Sequence, residues 1–305
     1  MSQDRSWATS GIDPGAYASL ARGLSASSLW SLLLDVMSAR AGERTVTDLM
    51  QQWQRDRFTE PALIDQRTIV AIDAHLLAAA EKFDAIELSP LAPLGASSVV
   101  ALSSQNRVVS ALRGTEVVSD PTNIFALEAA RRLREDPERV VRLATCHRCV
   151  RAQAVPKLPG FAQHFRIFCL ATAGRERGDQ ALLVEAFVEH ITTHLAALDR
   201  LEQHGYAFPD KRVTVLSTDE RAPLAERIAS SVHGVPVERK PLEHRYYDGL
   251  RFMINAGSSA GTSIPLIDGG TFDWVGKLAS NRRFVFVASG MGAQLVAYLY
   301  KRQTA

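Results

Sequence analysis

The chain has 305 residues, of which 46% are hydrophobic and 22% are charged, and this composition excludes a disordered or fibrous protein. Lys and Arg number 35 against 33 for Asp and Glu, so the formal net charge of +2 gives no general attraction for nucleic acid or for an anionic membrane. The cysteines number only three, which excludes a disulfide framework, and no apolar signal core stands near the N-terminus. These features predict a soluble cytoplasmic protein without a membrane span.

Residues 1–65 are predicted to form a separate helical extension. Apolar residues recur at helical spacing over 29–36 after Ser25, and a second helix is predicted over 45–57, with Gly42 between the two. Two helices around a glycine turn are typical of a helix-turn-helix reader of DNA. The alternative is an arm that packs on the main domain or on a second subunit. The absence of a dense basic face favours the arm.

Residues 66–305 are predicted to form one α+β domain. In chain order, helices are predicted over 68–82, 123–134 and 180–204, and strands over 85–88, 98–102, 108–113, 142–153, 164–172, 212–216, 251–255 and 283–288. The strands cluster between helices without regular alternation with them. An antiparallel sheet flanked by helices is therefore favoured over a doubly wound one.

Three short patterns could carry chemistry, and each is weak when taken alone. Cys146 and Cys149 have the spacing of half a zinc site, but no second cysteine pair exists to complete four ligands. His190 and His194 lie four apart on a predicted helix without the glutamate of a metalloprotease, so a solvated helix face is the better interpretation. No Gly-x-Ser-x-Gly nucleophile turn is present.

The order of several segments is more informative than any one of them. They are the helix over 68–82 with Phe83-Asp84-Ala85-Ile86-Glu87-Leu88-Ser89-Pro90, then Val118-Ser119-Asp120-Pro121-Thr122, then 148–153 with 160–166, Tyr246-Tyr247-Asp248-Gly249, Asp268-Gly269-Gly270-Thr271-Phe272-Asp273, and Ser289-Gly290-Met291-Gly292-Ala293-Gln294-Leu295. In this order they resemble the core of the class II aminoacyl-tRNA synthetases, closest to the histidyl-tRNA synthetase branch.

The resemblance implies a role for each segment. The first segment, which resembles the family's first motif, would build a dimer interface, and the second segment would touch the amino acid. The strand-loop-strand over 148–153 and 160–166 resembles the second motif and would grip ATP. The last segment, Ser289 to Leu295, stands at the place of the third motif. The resemblance implies no metal ligand and a ligand-binding set comprising Asp120, Thr122, Arg148, Arg151, Gln153, Arg166, Tyr246, Tyr247, Gly269, Gly270, Gly290 and Gly292. Asp120 would pair with an α-ammonium group. The alternative for Tyr246 and Tyr247 is a pair of alternating strand residues.

The departures from the family pattern concern its charged residues. In this register the arginine of the third motif becomes Leu295, and the acidic residue before it becomes Gln294. The second motif keeps its arginine as Arg148, but the glutamate of its Arg-x-Glu pattern becomes Val150. The histidyl arginine falls at Leu242 and the histidine-recognising glutamate at Ala171, with Lys240 or Arg245 as the nearest substitutes for a lost arginine.

Amino-acid activation depends on neutralising phosphate charge, and losing one such donor costs roughly two to three decades in rate. No catalytic residue and no cofactor are therefore predicted.

Length is a second departure. A histidyl-tRNA synthetase continues into an anticodon-binding domain, whereas this chain ends about ten residues after Gln294, so tRNA is not expected as a partner. A shortened core without its charged residues is similar to the regulatory subunit of ATP phosphoribosyltransferase. That resemblance implies a homodimer that binds histidine and assembles with a catalytic phosphoribosyltransferase subunit of histidine biosynthesis.

Two other functions stay open. The first is a divergent ligase that activates an amino acid, in which Arg148, Arg151, Gln153 and Arg166 would handle ATP with Mg²⁺. The second is a scaffold or nucleic-acid-binding protein that uses the N-terminal helices.

Overall fold

The computed structural model describes residues 11–155, 160–243, 246–258 and 263–302. Arg245 therefore lies outside the described residues. The helices are α1 (Pro14–Ala18), α2 (Ala26–Gly42), α3 (Val46–Trp53), α4 (Gln66–Ala79), α5 (Pro121–Glu135), α6 (Ala181–Glu202), α7 (Ala222–Ser231), α8 (Trp274–Leu278) and α9 (Ala293–Leu299). Short π-helical turns occur at Ser19–Gly23 and Ala96–Val100, and 3₁₀ turns at Gln105–Arg107 and Asp219–Arg221.

Eleven strands are described, and eight of them form one sheet. They are β1 (Asp84–Ala85), β2 (Leu91–Pro93), β3 (Ser110–Ala111), β4 (Thr115–Val117), β5 (Val141–Val150), β6 (His164–Arg175), β7 (Arg212–Ser217), β8 (Val237–Pro241), β9 (Leu250–Gly257), β10 (Ser263–Thr271) and β11 (Phe284–Met291). The large sheet runs β1-β5-β6-β11-β10-β9-β7-β8, and β2-β4-β3 form a small second sheet. The central strands of the large sheet are antiparallel, and its edge pairs β1–β5 and β7–β8 are parallel.

The predicted α+β class with a mainly antiparallel sheet is confirmed, while one predicted strand is wrong. Residues 98–102 do not form a strand, because the chain turns at Gly95, whose φ is 93°. The buried carboxylate of Glu116 accepts hydrogen bonds from the backbone N–H groups of Gly95 at 2.7 Å and Ser97 at 2.9 Å, which fixes this π-helical turn. The predicted strand over 108–113 shrinks to Ser110–Ala111.

Helices cover both faces of the large sheet and create two cores. On one face, Ile72 of α4 and Phe187 of α6 pack with Phe252 of β9, and all three side chains are fully buried. On the other face, Phe125 of α5 packs with Phe286 of β11. Burying each such side chain contributes about 1.5–3 kcal/mol, so the packing of the sheet positions the site residues firmly.

His190 and His194 do not form the predicted solvated helix face, since both side chains are completely buried between α6 and the sheet. His190 Nδ1 lies 2.9 Å and His194 Nε2 lies 2.8 Å from the Ser289 hydroxyl, and His190 Nε2 lies 3.0 Å from the Thr172 hydroxyl. Burial lowers the pKa of His194 to about 3 and that of His190 well below its usual value. Both rings are therefore neutral, and hydrogen bonds satisfy three of their four nitrogens, since the buried Nδ1 of His194 has no partner among the described residues.

The N-terminal helices form as predicted, but they bury nothing. Ser25 caps α2, and Thr45 and Asp48 form a reciprocal capping box on α3. Helices α1 to α3 contain no buried residue, and Val46, Leu49, Met50 and Trp53, the predicted apolar face of α3, are exposed. Residues 11–65 carry five arginines and seven carboxylates. This acidic balance argues against the helix-turn-helix interpretation, because DNA binding needs a basic surface.

The end of this segment contacts the main domain beside β6 and α9. The Tyr298 hydroxyl donates to the Leu63 carbonyl, and the His164 ring lies between Arg148 and the Glu60 carbonyl. Arginine can only donate, so Nδ1 of His164 accepts from Arg148 Nη1 at 2.9 Å. Its Nε2 consequently carries the hydrogen and donates to Glu60 at 2.7 Å.

Helix α6 is long and apolar enough to cross a membrane by length and composition alone. It packs on the sheet through buried residues such as Phe187 and Ile191, as the core helix of a soluble protein does. The fold is therefore consistent with a soluble protein.

Candidate functional site

Arg151 organises the space beside the β5–β6 hairpin. It directly follows β5, and its Nε donates to the Ser119 carbonyl at 2.9 Å, while its Nη2 pairs with Asp120 at 3.3 Å. The guanidinium carbon also lies 4.9 Å from the centre of the Phe165 ring. An arginine held by a carbonyl, a carboxylate and an aromatic face is fixed in direction as well as in charge.

Asp120 has a structural duty in addition to its contact with Arg151. It is the N-cap of α5, and one carboxylate oxygen accepts from the Thr122 backbone N–H at 3.0 Å and from the Thr122 hydroxyl at 2.7 Å. Thr122 is thereby committed to the cap. The second oxygen of Asp120 points toward Arg151, so the predicted ammonium-binding carboxylate is already paired.

A polar cavity of about 260 Å³ lies between the small sheet, α5 and Arg151. Its lining comprises Ala101, Ser103, Arg107, Val108, Ser119, Asp120, Asn123, Arg151, Gln153 and Tyr246. Two of these residues have unused binding capacity. The Asn123 side chain is 2% exposed and its Oδ1 has no partner, and the Arg107 guanidinium forms no ion pair with any described residue. An unpaired buried acceptor and an unpaired cation suit a ligand that carries both a donor and an anion.

An apolar cavity of about 270 Å³ adjoins the polar one through Arg151 and Gln153. It is lined by Arg151, Gln153, Ala154, Val155, Gly160, Phe161, Ala162, Phe165, Arg166, Ile167, Pro265, Leu266, Asp268, Gly290, Gly292, Gln294 and Leu295. The charges at its wall are satisfied within the protein. Arg166 pairs with Asp73 of α4 at 2.6 Å, and Asp268 receives a bidentate pair of 2.8 Å bonds from Arg251.

ATP does not fit this lining, because Leu295 faces the cavity where the family places an arginine. The two cations at its wall, Arg151 and Arg166, each have a carboxylate partner in the chain. Binding a triphosphate would place its negative charge beside these carboxylates, with no unpaired cation in the described lining to offset it. No step through ATP or Mg²⁺ is therefore derived.

Arg148 is not part of the lining of either cavity, although it is paired across the hairpin with Arg166, which lines the apolar one. Successive side chains of a strand alternate between faces, so Arg148 shares the face of Cys146, which packs against α4. There Arg148 contacts His164 and, at 3.5 Å, Gln294. The arginines that line the apolar cavity are Arg151 and Arg166.

Tyr246 and Tyr247 were expected either to bind a ligand or to be alternating strand residues, and neither expectation describes both of them. Both precede β9, so they are not alternating strand residues, and their rings contact each other edge to face at 5.0 Å. Tyr246 lines the polar cavity, as the resemblance implies. Tyr247 lies behind it near Arg251 and Asp268, where burial and the Asp268 charge raise the pKa of its hydroxyl.

The two glycine pairs have different surroundings. Gly290 and Gly292 border the apolar cavity. Gly269 lies on the face of the sheet opposite to Gly290, where an added Cβ would stand 2.4 Å from Ser289 Cβ. Gly270 packs against Tyr247, where a Cβ would stand 2.3 Å from the ring. Neither Gly269 nor Gly270 borders the two cavities, so close packing explains both residues without a ligand.

Sequence reasoning missed Arg107 and Asn123. Asn123 lies in the first turn of α5, three residues after the Asp120 cap, and that proximity to a predicted site residue is a usable signal. Arg107 ends a 3₁₀ turn in a segment without periodicity, and no sequence signal points to it.

No group of three or more metal-ligating side chains occurs within the described ranges. Cys146 and Cys149 are three apart on β5, so their side chains point to opposite faces of the sheet. They cannot act together as half of a zinc site.

The strand-loop-strand of β5 and β6, the antiparallel sheet and the following β11–α9 unit define a class II aminoacyl-tRNA synthetase-like fold. Solved structures of histidyl-tRNA synthetase type share it. An ATP phosphoribosyltransferase regulatory subunit/histidyl-tRNA synthetase from Bacillus halodurans C is 14% identical over 78% of this chain and 83% of its own, with a TM-score of 0.55. A histidine–tRNA ligase subunit from Alicyclobacillus acidocaldarius is 12% identical over 78% and 95%, with a TM-score of 0.55.

Apo histidyl-tRNA synthetase from S. aureus is 11% identical over 76% of this chain and 64% of its own, with a TM-score of 0.53. At these identities the likeness establishes the fold alone. No protein-family model matches the sequence, and no curated protein matches it.

Proposed function

We propose that the protein is a non-catalytic, synthetase-like subunit that binds an amino acid in the polar cavity. The observation that carries this proposal is the contrast between the two adjoining cavities. The polar cavity offers the unpaired groups of Arg107 and Asn123, whereas each charged residue in the described lining of the apolar cavity is paired inside the chain. Such a site retains amino-acid recognition and lacks the cations that amino-acid activation needs.

The chemistry of recognition follows from the two unpaired groups. The Arg107 guanidinium binds the α-carboxylate, and the Asn123 amide oxygen accepts from the α-ammonium group. Tyr246, at the mouth of the cavity, contacts the side chain of the ligand. Each charge-assisted hydrogen bond contributes about 1.5–3 kcal/mol, so loss of either group lowers affinity by roughly tenfold or more.

The finer proposal is that this chain is a cytoplasmic regulatory subunit, a homodimer that binds histidine and controls a catalytic phosphoribosyltransferase. Its support is the fold likeness to a Bacillus halodurans protein described as such a regulatory subunit. Histidine would regulate the partner only if it binds one state of the complex more tightly than the other.

Calorimetric titration with a panel of standard amino acids, histidine first, tests the binding site. We expect one amino acid to bind, and Arg107→Gln to weaken that binding by about tenfold. Arg113→Gln is the matched control, because Arg113 is an exposed arginine outside both cavities. Absence of binding by every amino acid, or equal effects of the two variants, would refute the proposed site.

ATP–pyrophosphate exchange with the same panel separates this function from the ligase alternative. We expect no exchange from folded protein. Exchange with any amino acid would show that Arg151, Gln153 and Arg166 handle ATP after all, and Arg151→Ala should then abolish it. Arg113→Gln should leave it intact, because Arg113 is exposed and lines neither cavity.

The regulatory role is tested separately by mixing the protein with a short catalytic phosphoribosyltransferase subunit and measuring mass by light scattering. A complex whose activity falls on adding histidine supports it. Amino-acid binding without such a complex would support the binding site but refute the proposed role as a phosphoribosyltransferase regulatory subunit.

A further inference from the structure

A third cavity lies at the other end of strands β6, β10 and β11. It measures about 630 Å³ and shares no lining residue with the polar or the apolar cavity. Its walls come from the start of α6, the end of β10, the start of β11 and helix α8. We call it the basic cavity, after four cationic residues in its lining, which are Arg221, Lys277, Arg282 and Arg283.

The lining also holds three carboxylates, of which Asp273 alone forms an ion pair with one of these cations within the described residues. Asp273 pairs with Lys277 at 2.7 Å. The Glu176 carboxylate accepts from the backbone N–H groups of Leu182 and Leu183 at 3.2 and 3.3 Å, so it interacts favourably with the N-terminus of α6. Asp248 is the third acidic residue of the lining.

Three guanidinium groups are left without an anionic partner. Arg282 and Arg283 are adjacent in the chain, and neither forms an ion pair with a carboxylate in the described part of the protein. Arg221 donates only to the neutral amide oxygen of Gln180, at 3.3 Å. Like charges held around one cavity repel each other, and a bound anion relieves that repulsion while it gains charge-assisted hydrogen bonds.

The backbone is strained around the same cavity. Gln180 and Ser280, both in its lining, have φ angles of 53° and 52°, a conformation that costs a side-chain-bearing residue on the order of 1 kcal/mol. Gly249, with a φ of 79°, lets Arg221 pass so closely that an added Cβ would stand 2.9 Å from Arg221 Cγ. The strained Gln180 and the open Gly249 together fix Arg221 at the cavity wall.

We infer that the basic cavity binds a small phosphorylated metabolite. The lining carries four cations and three carboxylates, and the guanidinium groups of Arg221 and of the exposed Arg282 and Arg283 have no carboxylate partner among the described residues, so each can donate to phosphate oxygens. The volume exceeds that of an inorganic phosphate and falls within the range of small-molecule sites. Leu183, Phe272 and Val285 supply an apolar wall for the rest of the ligand.

Calorimetric titration of the full chain with inorganic pyrophosphate at constant ionic strength tests the site. We expect saturable binding, weakened at least tenfold by Arg283→Gln and abolished by the double variant Arg282→Gln/Arg283→Gln, since each arginine contributes charge-assisted bonds. Arg212→Gln is the matched control, because Arg212 is an exposed arginine on β7, outside the basic cavity.

Arg151→Ala is the second control, and it distinguishes the basic cavity from the candidate site. Pyrophosphate affinity should be the same in Arg151→Ala as in the wild type. Loss of binding in Arg151→Ala, equal weakening in Arg212→Gln, or no binding by the wild type would each overturn the inference. Unchanged melting temperatures of the arginine variants without ligand would show that any loss reflects the cavity rather than folding. A melting temperature lowered in Arg283→Gln would transfer the test to Arg221→Gln, with the same tenfold loss expected.

Discussion

Lowering the pH should destabilise the protein through His190 and His194. Both rings are fully buried and neutral, and burial holds their pKa values below the ordinary 6.5, to about 3 for His194. In the unfolded chain both rings bind a proton below pH 6.5, whereas in the folded protein they do not. The unfolded state therefore binds more protons in this range, and stability falls as the pH falls.

The size of the effect follows from the unfolded pKa. At about pH 5 an unfolded histidine lies roughly 1.5 units below its pKa, and each unit corresponds to about 1.36 kcal/mol. Each buried histidine thus removes about 2 kcal/mol between pH 7.5 and pH 5, and the two together remove about 4 kcal/mol. That loss is a large fraction of the stability of an ordinary domain.

Urea unfolding at the two pH values, followed by tryptophan fluorescence, to which the buried Trp274 contributes, measures the effect. We expect His190→Gln and His194→Gln each to lose about 2 kcal/mol less than the wild type between the two pH values. Titration of other groups cancels in this comparison. His233→Gln is the control, because His233 is exposed and its replacement should leave the wild-type pH dependence. A wild-type pH dependence in His194→Gln would refute the assignment of the buried neutral ring.

Three further predictions concern packing, thiol chemistry and assembly. Gly269→Ala should lower the free energy of unfolding by about 2 kcal/mol or more in a denaturant titration, because its Cβ would overlap Ser289, whereas Gly42→Ala, with open space around it, should be neutral or stabilising. The three cysteines are buried and burial raises the pKa of each thiol, so a thiol-reactive dye should label the native protein only at the rate of unfolding. Light scattering at micromolar concentration should give the mass of a dimer, and a monomer would contradict the role that the resemblance implies for the first motif.

Regular patterns in the sequence predicted the long elements and failed at short or glycine-rich ones. Helices α5 and α6 and strands β5 and β6 carry strong periodicity, and they form close to the predicted bounds. Strand β10 was missed because Gly269 and Gly270 interrupt its pattern with residues selected for close packing. The segment at Gly95 was misassigned because its conformation depends on Glu116, twenty-one residues away along the chain.

The site was only partly predictable for a related reason. Arg151, Gln153, Asp120 and Tyr246 come together as the motif order implied, since they lie at the ends of predicted elements. Strand parity does not tell which arginine reaches the cavity, because Arg148 and Arg166 are directly paired across β5 and β6 and only Arg166 lines it.

Because α1 to α3 contain no buried residue, their local stability should be lower than that of the main domain. Native-state hydrogen exchange should find their amides opening at almost no free-energy cost, while those of β5, β6 and β11 open only with global unfolding. The contacts of Glu60 and Leu63 and the packing of Trp30 against Gly114 would then hold this segment to the main domain. A surface that docked on the apolar side of α3 would have to supply the ordering free energy itself. Affinity for such a surface would report the cost of ordering this segment as much as the quality of the contact.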